Sequence, residues 1–186
     1  MDYGTFLAVA ACALISELHQ PCATPPPAQP VKQAVQTPIA YGSVQILLSA
    51  DDRSALARVA YAEAGNQGPT GLAGVIYTVL NRVASSRFQS SVQAVINAPD
   101  QFEPVARAGG WRNLPALTAG QQAQFDLLLA AIEKGQLPDP TRGALYFQNR
   151  AIVAARAAAG LVPPSLIDFG GRRTIAQLGD HSFYRD

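Results

Sequence analysis

A mainly α domain of the α+β class, running from about residue 43 to 186 and carrying a small β element near its end, is what this 186-residue sequence predicts. Two observations carry that expectation. Three apolar stripes recur at helical period, one on Leu56, Val59 and Ala60, one on Leu72, Val75, Ile76, Val79, Leu80 and Val83, and one on Phe125, Leu128, Leu129 and Ile132. The late segments ALYFQ (144–148), TIAQL (174–178) and HSFY (181–184) alternate instead, as half-buried strands do.

The first stripe predicts a short helix from about Arg53 to Ala64, capped by Ser49 or Asp51 and closed by Gly65, a residue able to take a left-handed cap. Ahead of it, SVQILL (43–48) is a brief apolar run expected to pack under that helix. The second helix follows the loop GNQGPT, with Pro69 tolerated in its first turn, and packs its stripe against the first. Ser90 or Ser91 caps a short helix bearing Val92, Val95 and Ile96, which Pro99 ends. DQFEPV comes next; if it is extended, Gln101 and Glu103 point one way and Phe102 the other, into the core. Thr118 opens the third long helix and Gly135 closes it; that helix is scaffold. A turn-rich stretch with Pro138, Asp139, Pro140 and Gly143 leads to the first late strand, Ala151 to Ala159 forms an alanine-rich helix, and Gly179-Asp180 is a two-residue hairpin turn.

The chain before the domain has a different character. Residues 1–16 hold an apolar run from about Thr5 to Ile15, too short for an ordinary membrane span, with acidic Asp2 where a secretion signal would be basic. Three readings stay open: a degenerate export signal, a weak membrane anchor, or a small helix that docks on a partner, so a membrane or virion partner is expected through this segment. Residues 17–42 read as a proline-rich linker, with PCATPPPAQP favouring extended polyproline II over a hydrogen-bonded core.

Composition removes several function classes. A formal net charge of +1 leaves no electrostatic footprint for nucleic acid. Both cysteines, Cys12 and Cys22, precede the domain, so neither a thiol peptidase nor a thiolate metal site can be built within it. Catalytic zinc needs three protein ligands, and the only histidines are His19, in the linker, and His181. No cofactor and no metal are expected. A GxSxG-type serine turn is missing as well.

What remains is one acid in an unusual place. Glu63 falls in the last turn of the first helix, where the carbonyl end of the macrodipole disfavours a carboxylate, and Tyr61, Ala62 and Ala64 beside it offer little compensating charge. It is biased toward keeping its proton, and a packed helix pair would hold it rigidly, as a proton donor requires.

The run YAEAGNQGPTGLAGVIYTVLNRV, then DQFEPV, DPTRGALYFQN and GDHSFY, resembles the cell wall hydrolase family of the SleB type, known from spore-cortex-lytic enzymes, over roughly Ser54 to Tyr184. The resemblance implies a lysozyme-like domain related to lytic transglycosylases, with Glu63 as the catalytic acid. It implies substrate contacts for Tyr61, Gln101, Phe102, Tyr146, Asn149 and His181, although a turn glutamine is an equally open reading of Gln101 and a lone histidine such as His181 is more often structural than a substrate ligand. Where the family's first block carries more charge, this chain has Gly65, Asn66 and Gln67.

The function implied is cleavage of the MurNAc–GlcNAc backbone of peptidoglycan by a lytic transglycosylase. A two-carboxylate muramidase, with Glu103, Asp100 or Asp139 as the second group, is the hydrolytic alternative. A phage endolysin or virion-borne wall-degrading protein fits the same layout, and a non-catalytic glycan-binding or virion module is disfavoured by the glutamate. The expected place of action is the cell envelope, the periplasm or the exterior, with bacteriophage lysis or a virion tail as the alternative.

Overall fold

The computed structural model describes residues 38–41 and 44–185. The expected apolar tip, most of the linker, both cysteines and His19 lie outside them. Secondary structure among the described residues begins ahead of the expected boundary at 43: Ile39–Tyr41 (β1) and Val44–Ile46 (β2) pair antiparallel, and Ile39 is buried. The expected apolar run is therefore half of a hairpin, which packs on the central helix; Ile46 and Leu48 enter the core.

Helix α1 spans Ala50–Ala64 and starts three residues earlier than expected because Ser49 and Asp52 form a reciprocal capping box, at 3.1 Å and 3.0 Å. Its end differs too. Gly65 is right-handed, with φ −59°, and the left-handed residue is Gly68, with φ +67°, where α2 (Gly68–Ala84) begins. The left-handed turn between the two helices is thus made three residues beyond the first helix's cap.

Helix α2 is the axis of the fold, buried on every side from Gly71 to Arg82. An ordinary surface helix buries one stripe; this one is covered by α1, by α3 (Val92–Asn97), by α5 (Ala119–Glu133), by the hairpin and by the late sheet. At Gly74 a Cβ would lie 2.7 Å from Phe183 and 2.9 Å from Leu178, so the missing side chain is what lets the sheet approach. The buried polar residues of α2 anchor the turn before the sheet. Asn81 donates to the Thr141 hydroxyl at 3.2 Å and the Ala144 carbonyl at 3.0 Å, and Arg82 Nε to the Leu145 carbonyl at 2.8 Å.

The late segments form the expected element: β3 (Tyr146–Asn149), β4 (Thr174–Leu178) and β5 (His181–Tyr184) make an antiparallel sheet in the order β3-β5-β4. Leu178 pairs with His181 across Gly179-Asp180, as the two-residue turn predicts. Helix α4 (Glu103–Ala108) begins inside DQFEPV, so only Phe102 and the residues before it are non-helical. Helix α6 (Arg150–Ala158) continues directly from β3, capped by the Asn149 side chain. The class is α+β and mainly α, with a lysozyme-like fold.

Candidate active site

The end of α1, helix α4, the sheet and α6 enclose a cleft of about 490 Å³. Glu63, Asn66 and Gln67 line it from the first helix and its loop, Gln101, Glu103 and Arg107 from the α4 side, Phe147, Asn149 and His181 from the sheet, and Ile152 and Arg156 from α6. A second cavity of about 460 Å³ lies beyond α4 around Trp111 and has no carboxylate in its lining, so it cannot support acid chemistry.

Glu63 is half-buried, and no described residue donates a hydrogen bond to its carboxylate. Burial pushes its pKa up to about 7; the negative charge of Glu103 adds to the rise, and Arg82 and Arg107 oppose it. The protonated form therefore persists toward neutral pH, where a carboxyl group can both donate and accept a proton. The direction agrees with the expectation, but the cause is desolvation first and the Glu103 charge second.

Glu103 has the opposite environment. Arg156 Nη2 donates to both of its oxygens, at 3.0 Å and 3.1 Å, and Arg107 Nη2 lies 3.6 Å away, so the Arg156 hydrogen bonds, followed by the charges of both arginines, lower its pKa. Two carboxyl groups in one cleft are thus driven apart in protonation, Glu63 toward the acid and Glu103 toward the anion. Asp100 also lines the cleft. Asp139 does not: its oxygens accept from the Thr141 amide at 2.8 Å and the Gly143 amide at 2.7 Å in the turn before the sheet.

Of the six expected substrate residues, three line the cleft. Gln101 does so while donating to the Pro99 carbonyl at 3.2 Å; Asn149 does so while its amide oxygen caps α6. His181 is buried, its Nδ1 has no partner among the described residues, and burial lowers its pKa, so it is neutral at pH 7. It meets the edge of Phe147, with ring centres 5.1 Å apart.

The other three lie outside the cleft lining. Tyr61 stands two positions from Glu63 on one helix, about 200° around it, and its hydroxyl donates to Gln124 at 2.6 Å on the α5 side. Phe102 is 1% exposed and packs in the core beneath the Arg82 guanidinium, 5.1 Å from its ring centre. Tyr146 lies outside the cleft lining, between Phe88 and Phe169 at 5.9 Å and 5.2 Å, with Arg172 over its ring. Strand alternation makes the next residue, Phe147, the aromatic of the cleft.

The sequence reading also missed a clamp. Gln67 Nε2 donates to Asp180 Oδ2 at 2.9 Å and the Asp180 amide donates to Gln67 Oε1 at 2.9 Å, tying the loop behind Glu63 to the hairpin that carries His181. A Cβ at Gly179 would stand 2.2 Å from that Gln67 oxygen. The two partners are 113 positions apart, and no local pattern links them.

Residues 66–184 match the family described as Cell Wall Hydrolase. The chain belongs to the cell wall hydrolase family. The match begins just after Glu63, so the family assignment does not depend on the candidate acid. Among solved structures, this cell wall hydrolase is similar to the catalytic domain of the Bacillus cereus SleB protein, with 26% identity and a TM-score of 0.56 over 78% of this chain and 98% of that one. It shares its fold with the catalytic domain of the germination-specific lytic transglycosylase SleB from Bacillus anthracis, at 24% identity and a TM-score of 0.53 over 74% of this chain and 97% of that one. No curated protein matches it. Among the described residues no helix is long and apolar enough to cross a membrane, and no group of three or more His, Cys, Asp or Glu side chains could hold a metal ion.

Proposed function

We propose that this cell wall hydrolase degrades peptidoglycan by cleaving the bond between MurNAc and GlcNAc as a lytic transglycosylase, with Glu63 as its single acid and base. The observation that carries the proposal is a carboxyl group poised near pKa 7 in an open cleft whose neighbouring carboxylate, Glu103, is engaged by arginines. Glu63 gives its proton to the glycosidic oxygen as the C1–O bond breaks. The carboxylate left behind takes the proton of the C6 hydroxyl on the same MurNAc residue, and that oxygen closes on C1 to form the 1,6-anhydro ring. One group serves both transfers, and water is not consumed.

Hydrolysis by two carboxylates is the second reading, favoured by the presence of Asp100 and Glu103 in the same cleft. In the free protein Glu103 is the hydrogen-bonded partner of Arg156, which lowers its pKa and makes it a weak base, and this supports the first reading. The catalytic unit is taken to span residues 43–186 together with the β1 strand, acting at the cell envelope or outside the cell, with residues 1–42 as tip and spacer. Incubation of purified sacculi with the protein and mass analysis of the released muropeptides decide the chemistry. Anhydro ends are expected; reducing ends would establish hydrolysis, and unchanged glycan would remove the enzymatic function.

A further inference from the structure

Arg107 and Arg156 are basic side chains in the cleft lining, on α4 and α6 respectively, and both face the same carboxylate, Glu103. The three groups together carry one net positive charge. Arg156 is 45% exposed, Glu103 52% and Arg107 74%, so the arrangement is wet. An exposed ion pair contributes little to folding stability and opens at small cost. Arginine has five N–H donors, and among the described residues only Nη2 of Arg156 is engaged here, while Arg107 stands beyond hydrogen-bonding distance at 3.6 Å. Most of the donors of a two-arginine fork therefore have no protein partner among the described residues, and both arginines line the cleft.

We infer that Arg107 and Arg156 form a carboxylate-binding site on the cleft wall, filled in the free protein by its own Glu103, that recognises the negatively charged lactyl-peptide arm of the muramic acid residue. The inference rests on the glycan-cleaving reading and adds to it the part of the substrate that is not sugar. Guanidinium groups match carboxylates in shape and charge, and the exposed internal carboxylate of Glu103 holds the site closed to chloride and other weak anions until a substrate carboxylate displaces it. The arm projects from the sugar whose C1 must meet Glu63, and Glu103 and Arg107 both lie within electrostatic reach of Glu63. A substrate anchored there places its glycosidic bond beside the acid.

The opposite signs of two substitutions test this. Initial rates of the full-length protein are measured on three strand types: intact peptide-bearing glycan, glycan stripped of peptides by an amidase and so bearing lactyl carboxylates, and stripped glycan whose carboxylates are capped as methylamides. Wild type is expected to show a KM about fivefold to tenfold lower on a carboxylate-bearing strand than on the capped one, the scale of an exposed charge-assisted contact. The comparison of intact and stripped strands tells whether stem or lactyl carboxylate is the ligand. Arg107→Gln combined with Arg156→Gln should raise that KM to the capped value. Glu103→Gln should lower it, because the competitor is gone, whereas a purely structural bridge would make all these changes act in the same direction. Equal KM values for wild type on all three strands, or a rise in KM for Glu103→Gln, overturn the inference and leave the glycan-cleaving reading standing. No cleavage of any strand overturns both.

Discussion

Replacing Glu63 by Gln removes the acid while keeping shape and hydrogen-bonding reach, and its consequences for activity and for stability run in opposite directions. Cleavage is expected to fall by at least about a hundredfold, the scale of acid–base catalysis. The folded protein holds the Glu63 proton up to about pH 7, against an ordinary value of 4.5. Between those two values the native state binds more protons than the unfolded chain, so wild-type stability falls as pH rises through that window. A displacement of that size has a ceiling of about 3 kcal/mol, and screening by cleft water around a half-buried group reduces it to about 1–2 kcal/mol. Glutamine does not titrate. The variant should therefore melt about 3–6 °C above wild type at pH 8, with a gap that shrinks as pH is lowered through 7 and closes near 4.5. Melting by circular dichroism from pH 4 to 9 reads the stability limb. Turbidity loss of purified peptidoglycan reads the catalytic one, with wild-type clearing expected to decline as pH rises through about 7. Comparable clearing by the folded variant would refute the role of Glu63, and parallel melting curves at all pH values would refute the raised pKa.

Gly74→Ala should destabilise the protein by about 1–3 kcal/mol despite the better helix propensity of alanine, because its Cβ meets Phe183 and Leu178 at 2.7 Å and 2.9 Å; urea unfolding measures it. Ser49→Ala removes the capping box of α1 and should cost about 1 kcal/mol in the same assay, with clearing rates intact because that end of the helix is remote from the cleft. Gln67→Ala breaks both bonds to Asp180 and lets the His181 hairpin move relative to Glu63, so kcat/KM should drop about tenfold while the melting temperature changes little.

The parts of the fold that were legible in the sequence are those set by short-range chemistry. The capping residues at Ser49, Ser91 and Thr118, the end of the scaffold helix at Gly135 and the Gly179-Asp180 turn are each decided within four or five residues, and each is where local rules put it. The β1–β2 hairpin was not legible, because one strand falls in what composition marks as linker and its pairing is sealed only by burial of Ile39 and Ile46 in the domain core. For Gly65 and Gly68 the sequence offers two glycines and one left-handed position; which takes it depends on how α1 and α2 pack.

The same division explains the site. Glu63 could be singled out because its place in the last turn of one helix is legible locally, whereas the burial that chiefly raises its pKa comes from the packed domain. The aromatic residues could not be placed by type, since Tyr61, Phe102 and Tyr146 are all apolar bodies with equal claims to core and to cleft. Periodicity does discriminate between them: on a helix of 3.6 residues per turn, Tyr61 cannot share a face with Glu63, and on a strand Tyr146 and Asn149 cannot both face one way. Applied strictly, those two rules put Phe147, not Tyr146, on the Asn149 face of the strand and turn Tyr61 away from Glu63. They would not have found the Gln67–Asp180 clamp or the Glu103–Arg156 pair, whose members are brought together over 113 and 53 positions by the packing of helices around α2. The position of the acid is therefore legible at a helix end, while the burial that raises its pKa and the cleft around it belong to the whole domain.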